Sequence, residues 1–526
     1  MTALRLLGAA LVIHLLLVLP PAPMPAPQAL LRLAPELPLI LLALALLGRR
    51  ARGAAMLVLG LLGVQKIADL AMTSALGRPF NLLTDMTLIG SGLEILAQAV
   101  GVWPLLGLSL AAAVAALAVG AALWWATGVW AGQGRSPRLR LALAAAALLV
   151  PATVWLGQAW LGQAWASQAW TGNGPYAAAR LRMMARTAQD LRRIGQLAAR
   201  DPLADAPGLL SLIDRDVLVI FVESYGRASF DAPFHAQRHL PTLRRAESRL
   251  AGAGLAMRSG FLTAPTQGGQ SWLSHATFAN GLWVADQTSH AAVIASGRQG
   301  LFHHARRLGF RTAAVMPAIT RPWPEAAGMG FDRVLASADL GYRGRPFNWV
   351  TMPDQFTLAA LDRLLRDGSK SAPLFAQVAL ISSHAPWVPV PRLLAWDRLG
   401  DGRAFDAMAA AGDPPEVVWR DRDRVRAAYR EAVDYSLATV MDYAFLHAAD
   451  PPLMIVLGDH QPAPWVAGDG GADVAIHVIG PPHLVERAAA WGFTPGLVPS
   501  PGAAALPMDR MRDLILRGFG GSPPQA

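Results

Sequence analysis

The sequence predicts two unlike halves: an N-terminal bundle of about five transmembrane α-helices, then a C-terminal α/β domain with a mostly parallel, doubly wound sheet. Three observations carry this. Apolar residues make up 53% of the 526 residues and crowd the first third. Beyond residue 210, apolar strand candidates alternate with helical stretches, as in repeated βα units. Two of those strand candidates run straight into side chains that bind metals, at Glu223 and at Asp459-His460. A chain of this length exceeds a single core. The divisions fall at 1–157 (membrane), 158–209 (interfacial and linker helices) and 210–526 (outer domain).

Apolar runs lie near 4–20, 30–48, 54–72, 104–131 and 139–157. Several approach the roughly 20 residues that cross a bilayer. The first run also suits a signal-peptide core, but the hydrophobic segments that follow favour a retained span. Arg49, Arg50 and Arg52 lie between spans two and three, and Arg135, Arg138 and Arg140 between spans four and five. By the positive-inside rule both loops are cytoplasmic, so the N-terminus is inside and everything after 157 is outside. Lys66 and Asp69 in the third span stand three residues apart on one helix face. Two readings stand for them: a mutual pair near the interface, or a functional intramembrane site. The run from Leu88 to Val100 is amphipathic and suits the membrane surface.

Trp155, Trp160, Trp165 and Trp170 recur every five residues. That spacing turns each indole by about 140° on a helix, so they form no single stripe and read as interfacial anchors. Arg180, Arg182, Arg186, Arg192 and Arg193 mark a basic helical connector, which Pro202 and Pro207 interrupt.

The net charge is +10, yet lysine occurs only at Lys66 and Lys370. No basic block with interleaved aromatics accompanies it, which argues against nucleic-acid binding. The chain has no cysteine. Disulfides, cysteine–zinc sites and a thiol nucleophile are thereby excluded.

In the outer domain the strands fall at 216–222, 311–316, 374–380, 453–458 and 474–479, with helices at 238–252, 299–309, 354–367 and 422–447. The closing segment Met508 to Arg517 reads as an amphipathic helix. Asp216-Val-Leu-Val-Ile-Phe-Val-Glu223 is a strand buried on both faces, ending in a carboxylate. Leu453-Met-Ile-Val-Leu-Gly458-Asp459-His460 repeats the design. Ligands of open α/β sheets bind outside the carboxyl ends of the strands, where Glu223, Asp459 and His460 converge on one divalent cation. Gly268-Gly269-Gln-Ser271 opens a helix, and the free N–H groups there favour a phosphate. A hydroxyl touching a divalent metal is an activated nucleophile. Ser271 therefore reads either as nucleophile or as a plain helix cap, with Ser274 the alternative one turn further on. Ile381-Ser-Ser-His384-Ala-Pro386-Trp387 brings His384 to the same edge, as a structural or a functional histidine.

Together, the strand-end Glu223, the Gly-rich helix start, Ser-His384-x-Pro-Trp and Gly-Asp459-His460 stand in the order of the alkaline phosphatase/sulfatase superfamily. The layout resembles lipoteichoic acid synthase-like phosphoglycerol transferases and, more distantly, phosphoethanolamine transferases. The resemblance spans about 214–482 and the membrane arrangement. It implies an alkaline phosphatase-like fold and one divalent ion (Mn2+, Mg2+ or Zn2+) on Glu223, Asp459, His460 and the nucleophile Ser271, with Ser in place of the family's Thr. It also implies a substrate-contacting role for His384.

The family's head-group pocket maps onto Met316, Arg321, Trp323 and Glu325, but with Met where a His is expected and Glu where an Arg is expected. Trp323 is retained. Glu325 then meets an amine or a sugar hydroxyl, or caps a helix. The resemblance implies a membrane lipid donor, an envelope glycan or lipid acceptor, and a periplasmic domain on a bacterial inner membrane. Two other classes stand beside a transferase: a periplasmic phosphatase or phosphodiesterase, and a non-catalytic membrane assembly protein. Sulfate ester hydrolysis is disfavoured, because Ser271-Trp-Leu-Ser-His lacks the Pro and Arg of the sulfatase frame.

Overall fold

The computed structural model describes residues 2–24, 34–86, 88–90, 92–93, 101–133, 136–161, 172–321, 323–366, 368, 372–468 and 471–521. The chain divides into two units, Met1–Asp190 and Leu191–Ala526.

The first unit is helical: α1 (Thr2–Val18), α2 (Leu37–Leu47), α3 (Arg49–Leu76), α4 (Val102–Ala131), α5 (Pro137–Leu161) and the start of α6 (Asn173–Ala198). Two described helices, Arg49–Leu76 and Trp103–Ala131, are long and apolar enough to cross a membrane; Ala3–Val18 and Leu37–Leu47 are shorter apolar helices. Their outward faces are apolar: Leu61, Val64, Leu110 and Leu117 are all exposed. The inward faces hold a polar knot. Both Asp69 carboxylate oxygens are engaged, Oδ2 by Arg180 Nε at 2.9 Å and the Tyr176 hydroxyl at 2.5 Å, Oδ1 by Phe80 N at 2.9 Å. Lys66 Nζ donates to the Leu17 carbonyl at 2.6 Å. Glu36 accepts the N–H groups of Asn173 and Gly174, capping α6 across the unit. The side chains of Trp155, Trp160, Trp165 and Trp170, and most of the run from Leu88 to Val100, lie outside the described residues.

The second unit is an α/β domain around one sheet. Its strands are β1 (Val217–Val222), β2 (Ala256–Thr263), β3 (Arg311–Met316), β4 (Arg333–Ala336), β5 (Leu374–Leu380), β6 (Leu453–Gly458), β7 (Asp473–Gly480), β8 (Thr494–Pro495) and β9 (Ala505–Pro507). The order is β4-β3-β5-β1-β6-β7-β2-β8, with β9 on β2. β4, β3, β5, β1 and β6 are all parallel, so β1 lies at the centre between β5 and β6. The main helices are α7 (Pro233–Gly252), α8 (Ser271–Asn280), α9 (Gln287–Ala295), α10 (Leu301–Arg307), α11 (Asp354–Leu365), α12 (Arg422–Leu446) and α13 (Met511–Gly518).

The sheet is mostly parallel, as expected, but includes strands β2, β4, β8 and β9 that the sequence reading did not place. β7 runs antiparallel to β6 and to β2. Among the described residues only the short helix Pro464–Ala467 lies between β6 and β7, and the chain turns back rather than crossing over as a parallel partner requires. β2 went unread in the sequence because Arg258, Ser259 and Gly260 interrupt its apolar run.

β1 explains why the sheet is a two-faced core. Leu218, Ile220 and Val222 pack into one apolar cluster, with α7, α11 and α12 residues such as Leu243, Phe356 and Val433. Val217, Val219 and Phe221 pack into the other, with Phe278 of α8 and Phe302 of α10. Alternate residues of a strand point to opposite faces, and each such side chain contributes roughly 1.5–3 kcal/mol on full burial. Burial on both faces leaves the strand's carboxyl end as the place where polar side chains emerge.

Candidate active site

β1 ends at Val222, and the next residue is Glu223. Ser224 turns the chain in the left-handed region, with φ of 57°. Its N–H donates to Asp459 Oδ1 at 2.8 Å and its hydroxyl to Glu223 Oε1 at 2.9 Å. The two strand ends are in direct contact here. A Cβ on Gly458 would lie 1.8 Å from the Tyr225 carbonyl oxygen, and one on Gly226 would lie 1.7 Å from Gln461 Oε1. At Gly458, where the clash is with backbone, only glycine permits this approach.

The second strand end supplies Asp459 and His460. Asp459 Oδ1 also accepts the His460 N–H at 2.7 Å, which leaves Oδ2 to face inward, 3.6 Å from His460 Nε2. His460 Nδ1 lies 2.8 Å from the Gln461 carbonyl. A carbonyl can only accept, so Nδ1 carries a proton in either charge state, and Nε2 is the nitrogen that would face a ligand once its own proton is lost. Nε2 stands 3.2 Å from Glu223 Oε1. One ligand atom from each of Glu223, Asp459 and His460 falls within 4.8 Å of the others, and all three residues are buried.

Ser271 begins α8 directly after Gln270, which is itself left-handed with φ of 66°. Non-glycine residues in that region cost free energy and cluster at functional sites; Ser224 and Gln270 flank Glu223 and Ser271. The Ser271 hydroxyl donates to Glu223 Oε2 at 3.1 Å and lies 3.3 Å from His460 Nε2. Ser274 is fully buried, and its hydroxyl has no hydrogen-bond partner among the described residues. Of the two serines, Ser271 is the one that the fold brings to the cluster.

The electrostatics are those of a site short of positive charge. Burial opposes ionisation of Glu223, but the His384 and His460 charges outweigh it and hold its carboxyl well below the usual carboxylate range. Burial and the Glu223 charge push Asp459 up to about 7. Burial disfavours protonated His460, yet Asp459 and Glu223 raise it to about 9. Two carboxylates at one point, oriented by backbone donors and joined by a histidine whose Nε2 proton a metal would replace, fit one divalent cation.

His384 follows β5. Its Nδ1 lies 2.7 Å from the Ala385 carbonyl, leaving Nε2 available, and its ring centroid is 3.9 Å from that of Trp349. The Ser383 hydroxyl donates to the Glu223 carbonyl at 2.6 Å, tying this turn to the end of β1. Beneath it sits Asp354, the first residue of α11 and fully buried. Its Oδ1 accepts the N–H groups of Ile381 and Ser382, both at 2.8 Å, and Oδ2 accepts the Ser436 hydroxyl at 2.6 Å. Burial raises its pKa, and these donors offset only part of the rise. Asp354 and Ser383 were missed in the sequence. An acid in a first helical turn reads as ordinary helix-dipole complementarity, and no spacing rule links it to residue 384.

Arg321, Trp323 and Glu325 lie on the segment after β3, beyond β5 as seen from β1. Arg321 and Glu325 are exposed, and Trp323 is half-buried against Phe331. Met316 ends β3, buried, in contact with Gln377 of β5.

The second unit is thus a mostly parallel α/β domain with a cluster of potential metal ligands, Glu223, Asp459 and His460, at its parallel strand ends. Residues 215–472 match the sulfatase family model. The match covers just under half of the chain, and over it this stretch is similar to the sulfatase family of hydrolases and transferases. No curated protein matches the sequence.

Several solved structures are similar to the chain. The lipoteichoic acid synthase LtaP from Listeria monocytogenes shares 12% identity over 55% of this chain and 71% of its own, with a TM-score of 0.34. The Streptococcus pyogenes phosphoglycerol transferase GacH, in complex with sn-glycerol-1-phosphate, shares 13% over 56% and 74%, with a TM-score of 0.36. The soluble domain of lipooligosaccharide phosphoethanolamine transferase A from Neisseria meningitidis shares 12% over 60% and 89%, with a TM-score of 0.38.

Proposed function

We propose that the protein is a membrane-bound, metal-dependent transferase. It moves a phosphoglycerol- or phosphoethanolamine-like head group from a phospholipid to a glycan or lipid of the cell envelope. The observation that carries this reading is the Ser271 hydroxyl at the start of α8, within 3.1 Å of Glu223 and 3.3 Å of His460. Glu223, Asp459, His460 and Ser271 hold one divalent ion (Mn2+, Mg2+ or Zn2+). Such an ion, when bound, favours the alkoxide and neutralises charge on the phosphoryl group.

Ser271 Oγ forms a bond to phosphorus as the bond from phosphorus to the diacylglycerol oxygen breaks, and the alcohol leaves with a proton. An acceptor hydroxyl then takes the group and restores the serine. His384, through its available Nε2, steadies a phosphoryl oxygen or donates to the leaving group. The N–H groups at the start of α8 favour the phosphoryl anion. Arg321, Trp323 and Glu325 contact the head group.

The lipid donor accords with the exposed apolar faces of α3 and α4, which suit hydrocarbon rather than water. The arginine distribution supports five spans, a cytoplasmic N-terminus and a periplasmic domain.

The test is intact-protein mass spectrometry of wild type and Ser271→Ala after incubation with a native lipid extract and manganese. A phospho-group adduct on wild type that is lost in Ser271→Ala is the expected result, and its mass names the head group. An adduct that persists in Ser271→Ala refutes the assignment of the nucleophile.

A further inference from the structure

Tryptophan stands out among the exposed large apolar side chains of the second unit. Trp272, Trp349 and Trp419 are 39%, 47% and 44% exposed. Each borders a functional element. Trp272 follows Ser271, Trp349 packs on the His384 ring, and Trp419 lies flat on Trp387, three residues past His384. Single exposed apolar residues are ordinary, whereas several beside one site mark a binding surface.

Trp349 and Trp419 stand on either side of the loop after His384. The loop after His384 joins them, since Asn348 Nδ2 donates to the Val388 carbonyl and Trp419 Nε1 donates to the Pro386 carbonyl at 3.2 Å. The Trp387 and Trp419 rings are parallel within 9°, their centroids 5.7 Å apart, and Trp465 closes edge-on at 6.1 Å. Trp419 is therefore held on its inner face and at its N–H. What it still offers is the outer ring face. The Trp272 N–H is committed as well, to Gln287 Oε1 at 2.8 Å.

The surrounding charge selects the partner. Around Trp419, Asp413, Glu416, Asp421 and Asp423 are matched by Arg420, Arg422, Arg424 and Arg426. A balanced border gives an anionic bilayer no net attraction. An interfacial tryptophan also sets its polar edge in head-group water, and the Trp419 edge is already bonded. A neutral pyranose meets both conditions: its C–H face stacks on an aromatic ring, and its hydroxyls reach mixed charges at the rim.

We propose that Trp349 and Trp419 form an acceptor shelf that stacks the sugar rings of a neutral glycan beside His384. This rests on the transferase reading above and names a glycan, rather than a lipid, as the acceptor.

The experiment titrates the full-length, manganese-loaded protein with cellotetraose, laminaritetraose and chitotetraose, using calorimetry. Saturable binding of at least one is expected, weakened about tenfold by Trp419→Ala and by Trp349→Ala. Trp419→Phe should restore most of the affinity, which separates a lost ring face from a damaged fold. Trp283→Ala, at the far end of α8 from Ser271, should bind as wild type. Absence of binding by all three sugars, or equal binding by the alanine variants, overturns the proposal. So does fluorescence quenching by brominated acyl chains in nanodiscs that disappears in Trp349→Phe or Trp419→Phe, because the shelf would then be a bilayer contact. Sugar binding without a Ser271 adduct would remove the transferase reading and leave the shelf. An adduct without sugar binding would do the reverse.

Discussion

Replacing Asp459 by Asn separates the cost of the proposed metal cluster from its use. The Asp459 Oδ1 accepts two backbone N–H groups, from Ser224 and His460, and an asparagine carbonyl can accept both. The inward-facing oxygen becomes an amide, so the charge is lost while the local scaffold stays. In the metal-free protein, burial and the neighbouring Glu223 hold the Asp459 carboxyl at about 7 rather than its ordinary 3.8. Ionising it there costs the folded state roughly 4 kcal/mol.

The sign follows from the direction of the shift. A carboxyl raised on folding contributes stability in full below its unfolded pKa and loses it as the pH rises through about 7. His460 returns part of the cost, because its protonation depends on both carboxylates. Metal-free Asp459→Asn should therefore be more stable than metal-free wild type by about 1–3 kcal/mol at pH 8. The same variant should bind no metal and form no adduct. Urea unfolding of the EDTA-treated full-length protein, with metal content by atomic spectroscopy, measures both. A variant less stable than wild type by more than about 1 kcal/mol, or one still holding an equivalent of manganese, would refute the reasoning.

Other outcomes follow from the same contacts. Asp354→Ala strands the Ile381 and Ser382 N–H groups and the Ser436 hydroxyl, a loss of about 3–6 kcal/mol. Its residual turnover should fall at least about tenfold through the displaced His384, more than Ser436→Ala alone, as kinetics of the two variants would show. Arg512 is fully buried and pairs with Asp201. Arg512→Met should cost about 3–5 kcal/mol, much of it recovered by adding Asp201→Asn; equal losses in the single and double variants would count against an unpaired charge as the cause. Burial lowers His477 to about 3. A histidine depressed on folding stabilises above its unfolded pKa of about 6.5 and loses that contribution as the pH falls toward about 3. Stability of the metal-loaded outer domain should thus decline steadily below pH 6.5, and a flat profile to pH 4 in chemical denaturation would contradict this.

Much of the site was legible because buried parallel strands write themselves as unbroken apolar runs, and whatever polar residue ends such a run is delivered to the carboxyl edge. That logic located Glu223, Asp459, His460 and His384, and the Gly-Gly turn marked Ser271 at a helix start. Local chemistry is enough there, since strand burial and helix initiation are decided within a few residues.

Other features depended on contacts between distant parts of the chain. The antiparallel return of β7 and the insertion of β2 are pairings that no local pattern records. That the Ser274 hydroxyl is buried while that of Ser271 faces Glu223 is a matter of packing. Asp354 came from a donor set spread over residues 381 to 436. Sequence by itself determined which residues could carry the chemistry. Tertiary structure decided which of them meet, because convergence depends on strand order and on buried hydrogen bonds between segments far apart in the chain.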